Sequence, residues 1–562
     1  MPAPPGTDTT RLSALESEVD TAFESELRLF AIPKGAAREA LLDVTELLLT
    51  GQGKQIDEES GAMSSYFNNV TKSASSALRQ IDRFAVDEPQ DFDPEWDATI
   101  RRCISTCSFF AVVEDAFFTC WKGYSSARIN GSDVAFEPLG SELDARLRFF
   151  RGHDGYDEGS DGGFNIDILT SPEIMNGVAE SLMATDFKRT GGFEYVMALP
   201  VVQRIAEEFE RVLAPQMKGV LEIELGGITS LDLLRAWCRL LSLARLHWLA
   251  RLLTSRVPAR PQTSFVFPAL YRKRPFWLGA LAGLHHPEKL LQILTFDPAE
   301  KGGDVCVTPL VEIHDDYFGL IPSSTLRSNV PRNLLVLIAS RFSAAYSAFS
   351  LVREDEAITE YKRRHAAALI GTQIKLPRWN GKQLPDIDLL LANPERTHLV
   401  LAELKWQLSA SSTREVAARN DYLKKGSAQL MAIRDFLAAH PAYLKSRGLT
   451  DKPTDDLKLS FLLLCKGHLG SETVMTTPEI LMCDNDTFLA ELAKGLDAAI
   501  DLAKSFDYLP KEGKDFILRY VKVRFGGHTV AWKAMIPPST TEDTESDLIE
   551  AFYMDGARFA VI

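Results

Sequence analysis

Cysteine is scarce in this chain: seven residues, at 103, 107, 120, 238, 306, 465 and 483, among 562. So sparse and odd a set suits reduced thiols in a cytoplasmic protein better than a disulfide framework. Cys103 and Cys107 share a helical i,i+4 face, but no second Cys or His pair follows at zinc spacing, so packing is their expected role. Long uncharged apolar runs are missing too. The longest, such as 276–284 and 334–339, fall short of the roughly 18–20 residues needed to cross a bilayer. The leucine-rich stretch 233–253 carries Arg235, Arg239, Arg245 and Arg251 scattered around its helix, which makes neither a membrane face nor a basic stripe. The opening MPAPPGTDTTRL has no basic n-region and no apolar h-region, which argues against a secretory signal. No P-loop, GxSxG elbow or repeat period occurs. The expectation is a protein of the cytoplasm with no membrane partner.

Excess positive charge is also lacking: 62 Lys and Arg stand against 77 Asp and Glu, a net of −15. Alone, that argues against a surface built to grip nucleic acid. The charge is uneven, however. Residues 1–100 hold 8 basic and 19 acidic side chains, and the other 462 hold 54 and 58. Residues 351–445 reverse the sign, with 15 basic against 11 acidic.

A chain of this length suggests three or four domains of about 150 residues each. Composition divides it into an acidic helical region (1–150), a helical or mixed region of unassigned role (151–332), an α/β part (333–500), and C-terminal strands with an acidic tail (501–562). Helices are expected across 10–130 and 172–253, with breaks at the acidic, proline-containing 87–94, the Gly/Asp-rich 152–163 and the proline-rich 257–261. The 152–163 loop lacks the alternating oxygens and terminal Glu of an EF-hand. The basic-aromatic run 272–277 reads as ordinary surface, and His285-His286-Pro287 as a helix end or a turn rather than a ligand pair.

Beyond residue 333 the texture changes. A helix to about 369, with a break near Ser350, precedes strand-like runs at 372–376, 384–392 and 398–405. A helix over 413–439, strands at 457–465 and 480–483, and a helix over 486–492 follow. The order implies a mixed sheet with helices on its faces.

One constellation in that part carries chemistry. Asp386 and Asp388 precede the apolar Leu389–Leu391, and the apolar run 399–402 ends in Glu403-Leu404-Lys405. Residues two apart on a strand share a face, so Glu403 and Lys405 point together. Carboxylates at neighbouring strand ends suit a hard divalent cation, and a lysine beside them suits charge developing on a phosphate. Here the sequence resembles the PD-(D/E)xK nuclease superfamily, the restriction-endonuclease-like fold, through Pro385-Asp386-Ile387-Asp388 and Glu403-Leu404-Lys405. The resemblance covers about residues 350–490. It implies a Mg²⁺- or Mn²⁺-dependent nuclease with Asp388 and Glu403 as metal ligands, Asp386 as the alternative Asp, and Lys405 as the catalytic lysine. It further implies a supporting acid on the preceding helix, where Glu360 is favoured over Glu356, and a supporting Gln429. Glu-x-Lys also occurs at 360–362 and 512–514, in a helical pattern and in a turn.

Lys362, Arg363, Arg364, Lys375, Arg378, Lys382, Lys424 and Lys425 form a basic collar suited to phosphates, with Lys375, Arg378, Lys382, Lys424 and Lys425 the expected nucleic-acid contacts. Trp379 and Trp406 are expected to pack rather than stack on bases. The implied partner is nucleic acid, DNA by family tendency, with a second copy or another protein meeting the helical N-terminal region. Such domains behind large helical regions occur in bacterial anti-phage and restriction systems. A catalytically silent binding module on the same fold stays open as the alternative. The acidic first hundred residues could also occupy the basic collar and hold the enzyme off.

Overall fold

Apolar residues at helical spacing build the N-terminal part. In α1 (Thr9–Glu26), Leu12, Leu15, Val19 and Phe23 line one buried face, and Asp8 caps the helix by accepting the Arg11 N–H at 3.0 Å. Helices α2 (Lys34–Gly51), α3 (Ala62–Phe84) and α4 (Glu95–Trp121) complete the group. The computed structural model describes residues 7–27, 32–51, 62–86, 95–138, 199–217, 219–256, 268–300, 303–408, 413–466, 479–505, 517–525 and 527–536, with short pieces between 172 and 194, at 469 and 474, and at 560–561. The expected loops at 87–94, 152–163 and 257–261 lie outside the described residues.

Within α4, Ala98–Trp121 is long and apolar enough to cross a membrane by length and composition, with a mean hydropathy of 1.4. It contacts α1, α2 and α3, and Cys103, Ile104, Cys107, Val113, Phe117 and Cys120 are buried along it. All seven cysteines are free thiols, and Cys103 and Cys107 belong to this apolar core, as packing residues do.

A hairpin follows, β1 (Ser125–Asn130) with β2 (Asp133–Pro138), closed by Gly131 at a φ of 62° that its two-residue turn needs. Where helix was expected throughout 172–253, a short strand pair, β3 (Lys188–Arg189) and β4 (Phe193–Glu194), precedes α5 (Leu199–Leu213) and α6 (Ser230–Arg256). Next come β5 (Leu270–Lys273), α7 (Arg274–Ala280), α8 (Pro287–Leu294), β6 (Leu310–His314), β7 (Tyr317–Leu320) and α9 (Pro322–Leu326). The basic-aromatic run spends itself on packing: Trp277 is buried, and Arg272 lies over Phe276. His286 caps α8 just ahead of Pro287, the helix-end role its sequence implied.

Two expected domain boundaries do not divide the molecule. Strands β5, β7 and β6 form one sheet whose faces serve different cores: Tyr271, Val311 and Ile313 pack with α1–α4, whereas Leu270, Leu310 and Leu320 pack with α5 and α6. The alternation of side chains along a strand thus joins residues 1–150 to residues 151–332. The C-terminal strands β15 (Ile517–Phe525), β16 (His528–Ile536) and β17 (Ala560–Val561) likewise belong to the N-terminal part, because β16 runs parallel to β2 in one five-stranded sheet.

The α/β part begins with α10 (Val330–Arg341) and α11 (Ser343–Arg364). Their break falls at Phe342, not near Ser350. Arg341 holds that end by bonding the Ile293 carbonyl at 2.6 Å and Glu300 at 2.7 Å, while Ser350 bonds back within its helix to Tyr346. Strands β8 (Leu369–Ile374), β11 (Ile387–Ala392), β12 (His398–Trp406), β13 (Lys458–Lys466) and β14 (Ile480–Asp484) form a mixed sheet in the order β14-β13-β12-β11-β8. A small hairpin of β9 (Arg378–Trp379) and β10 (Lys382–Gln383) projects between β8 and β11. Strands β12, β13 and β14 run parallel, and β11 and β8 are antiparallel to their neighbours. Eight of the nine residues of β12 are buried, as a central strand covered on both faces requires. Helix α12 (Thr413–Ala439) lies on one face together with the short α13 (Tyr443–Ser446), and α11, α14 (Asn485–Glu491) and α15 (Leu496–Ser505) on the other. This is the helix-flanked mixed sheet expected of the C-terminal part, behind a mainly helical N-terminal region.

Candidate active site

Register decides which side chains meet. The last backbone pair between β11 and β12 is Leu389 with Ala402, so the next step sets Asp388 beside Glu403. There the Asp388 carboxylate takes over from the backbone and accepts the Leu404 N–H at 2.8 Å. Two residues along β12 from Glu403, on the same face, the Lys405 ammonium donates to Glu403 Oε1 at 2.5 Å. Glu403 is 3% exposed and Lys405 9%. The structure therefore brings Asp388, Glu403 and Lys405 together at adjoining strand ends.

The acid of α11 that the structure brings to the strand end is Glu354, not the favoured Glu360. Glu360 lies in ion pairs with Arg363 and Arg364 on the outer side of α11, and Arg363 first holds its carboxyl down to about 2. Glu356 pairs with Arg353 at 2.6 Å. Instead Glu354 reaches the strand end, where the Trp406 N–H points to its Oε1 at 3.3 Å and its charge acts on Lys405 and Glu403. The cause is helical phase. Ile358 and Tyr361 are buried on the sheet-facing side of α11, and Glu354 is one and two turns before them. That spacing was the available signal. Asp355, beside Glu354, is bonded by Gln373 at 2.6 Å and adds its charge to Asp388.

Too many carboxylates crowd one cation. Burial, then the charge of Asp388, pushes Glu403 up to about 8. Burial also raises Asp388 and Glu354, against the Leu404 N–H in the first case and Lys405 in the second. Burial works against the charge on Lys405 as well, but Glu403 outweighs it and the ammonium is held protonated. Asp386, half-buried just before β11, contributes further negative charge to Asp388.

Helix α12 closes one side through a glycine. A Cβ at Gly426 would lie 2.8 Å from Leu463 Cδ1 and 3.2 Å from Lys405 Cε, so only Gly lets the helix come this near the lysine. One turn earlier, the Tyr422 ring lies with its centroid 5.7 Å from Lys405 Nζ. Gln429 is half-buried on the same helix, and among the described contacts no hydrogen bond ties it to Asp388, Glu403 or Lys405.

The basic collar divides. Lys375, Arg378, Lys382 and Lys425 are exposed and make no ion pair among the described residues, whereas Lys424 pairs with Asp421 at 3.3 Å. Trp379 stands edge-on to Phe436 at 6.0 Å and Trp406 to Phe349 at 5.0 Å, so both pack. The expected mimicry by the acidic first hundred residues is not seen among the described contacts. The acid reaching α12 is Glu114 of α4, which pairs with Arg414, while Tyr124 accepts from the buried Asn420 at 2.8 Å.

Among the described residues no group of three or more His, Cys, Asp or Glu side chains is drawn together tightly enough to hold an ion as it stands. Lys405 supplies the counter-charge to Glu403 instead. The donor set nonetheless has the chemistry of a hard-cation site: carboxylate oxygens in a buried setting that raises their demand for positive charge. No family model matches the chain, and no curated protein or solved structure is significantly similar to it.

Proposed function

We propose that the α/β part is a Mg²⁺- or Mn²⁺-dependent nuclease domain of the restriction-endonuclease-like type, hydrolysing phosphodiester bonds with DNA as the favoured substrate. One observation carries the reading: Asp388, Glu403 and Lys405 converge at adjoining ends of β11 and β12, with Glu354 beside them. Asp388 and Glu403 would hold the ion, with Asp386 nearby at the start of β11. When bound, the metal polarises the phosphate and lowers the pKa of water. Lys405 is fixed between Glu403 and the Tyr422 ring, and its ammonium can stabilise negative charge gathering on phosphoryl oxygens. By accepting the Trp406 N–H, Glu354 anchors the strand end that presents Lys405. The exposed Lys375, Arg378, Lys382 and Lys425 would take backbone phosphates with salt-sensitive affinity. A role in bacterial defence against phage or foreign DNA follows from the family resemblance.

The test offers plasmid, linear and single-stranded DNA, and RNA, to the purified full chain with Mg²⁺ or Mn²⁺. Wild type should cut and lose activity with chelator, while Lys405→Ala and Glu403→Gln should not cut. Intact substrates under every condition, together with equal cellular toxicity of wild type and Lys405→Ala, would sink the proposal. The second reading is a silent nucleic-acid or protein-binding module, favoured by the contact through which Lys405 already neutralises Glu403. Binding without cleavage, unaltered in Lys405→Ala, would select it.

A further inference from the structure

Glu403 and Lys405 are buried, but the ring placed over the lysine is not: Tyr422 is 36% exposed. Only five large apolar side chains stand exposed among the described residues, and three of them, Leu351, Val352 and Tyr422, lie on α11 and α12, the helices that supply Glu354 and Gly426. Leu351 is one turn before Glu354 and Asp355. On the other helix, Lys424 and Lys425 follow Tyr422 at once, with Lys425 exposed and unpaired among the described residues. On α12 an exposed aromatic ring thus lies beside the Lys405 ammonium and close in sequence to the exposed Lys425, a setting that suits an occupant with a flat apolar face and an anionic edge. A nucleotide has both. Its base stacks on an aromatic ring while its phosphate meets ammonium groups.

We infer that Tyr422 is the stacking platform for an unpaired base beside the scissile phosphate, so that the site takes single-stranded or locally unpaired nucleic acid in preference to continuous duplex. The scissile phosphate in this statement rests on the nuclease reading above; the stacking does not. In a duplex each base is already stacked between its neighbours, and its face becomes available only when it leaves the helix. The competing role for Tyr422 is to steady Lys405 alone, which would serve every substrate equally.

The experiment measures binding of the full chain, with Ca²⁺, to an oligothymidylate, to an abasic oligonucleotide of equal length, and to a duplex of equal length. Wild type and Tyr422→Phe should bind the oligothymidylate about tenfold more tightly than the abasic strand, the scale of one base–aromatic stack. In Tyr422→Ala, checked for an unchanged melting temperature, that ratio should fall close to one, and duplex affinity should not change. A ratio equal in wild type and Tyr422→Ala overturns the inference, as does a loss in Tyr422→Phe as deep as in Tyr422→Ala. Cleavage with Mg²⁺ reports separately. If the ratio behaves as stated and nothing is cut, the nuclease reading fails and the stacking platform stands. If strands are cut but the ratio ignores Tyr422, the platform fails and the nuclease reading stands.

Discussion

Strand β12 carries a buried polar group at each end, and the two ends are built on opposite principles. At its start, His398 Nδ1 meets Asp497 at 2.7 Å and Nε2 meets Ser460 Oγ at 2.9 Å. Serine, histidine and aspartate in series have the connectivity of a hydrolase triad. Their exposure runs the wrong way, however: Ser460 is buried and Asp497 is the member open to water, so no substrate reaches the hydroxyl. Every ring nitrogen has its partner, and the network ties α15 to the sheet. At the far end, Glu403, Asp388 and Glu354 share one ammonium. A saturated network needs nothing more to be stable. An under-compensated one is costly to keep, and the proposed chemistry is placed at that end of the strand for this reason.

The largest expected contrast is catalytic. Glu403→Gln should lower phosphodiester cleavage by at least about a hundredfold, whereas Ser460→Ala should leave it unchanged in the same assay. A loss of similar size in Ser460→Ala would erase the distinction between the two ends.

A third buried acid separates burial from function. Glu46 of α2 is completely buried and raised to about 7, first by desolvation, yet it is fully engaged: Ser323 donates its N–H at 2.8 Å and its hydroxyl at 2.7 Å, and Arg251 lies at 3.4 Å. Because this acid binds its proton more tightly folded than unfolded, its contribution is complete below pH 4.5 and is lost as pH rises to about 7. Denaturant titrations across that window should show a fall of about 3 kcal/mol that Glu46→Gln flattens. A slope unaltered in the variant would remove Glu46 as its source.

Smaller effects bear on stability at the two ends. His398→Leu leaves Ser460 and Asp497 without their partner and should cost about 1–3 kcal/mol with no change in cleavage. Asp388→Asn keeps an acceptor for the Leu404 N–H while removing one crowded charge, so without divalent ions it should raise the melting temperature. If both substitutions destabilise alike, the acid end is no less satisfied than the histidine end. Last, Gly426→Ala should keep the fold and weaken cleavage, since its Cβ displaces Lys405 and Leu463, an effect visible in kcat.

Much of this site was legible in the sequence. Strand β12 announced itself as an apolar run ending in Glu-x-Lys, and α12 runs over the residues its periodicity implied, 413–439. Which acid of α11 reaches the strand end is not legible in the sequence, because Glu354, Glu356 and Glu360 look alike until Ile358 and Tyr361 fix which side of α11 faces the sheet. The break at Phe342 has no local signature; a tertiary anchor, Arg341 on the Ile293 carbonyl, makes it. Nor did the charge balance betray Tyr422, whose importance lies in being exposed over Lys405.

The pairing of β2 with β16 has a consequence for how the molecule comes to exist. Asp133–Phe136 wait for Thr529–Trp532, which follow them by about 400 residues and therefore by roughly 20–80 s of synthesis. Until then the first core lacks Val523 and Val530, and the edge of β2 stays open. The five-stranded mixed sheet, drawn from residues 369–484, emerges in full before that edge is closed. In the nascent chain the α/β part has thus emerged in full before the part that precedes it in sequence is complete.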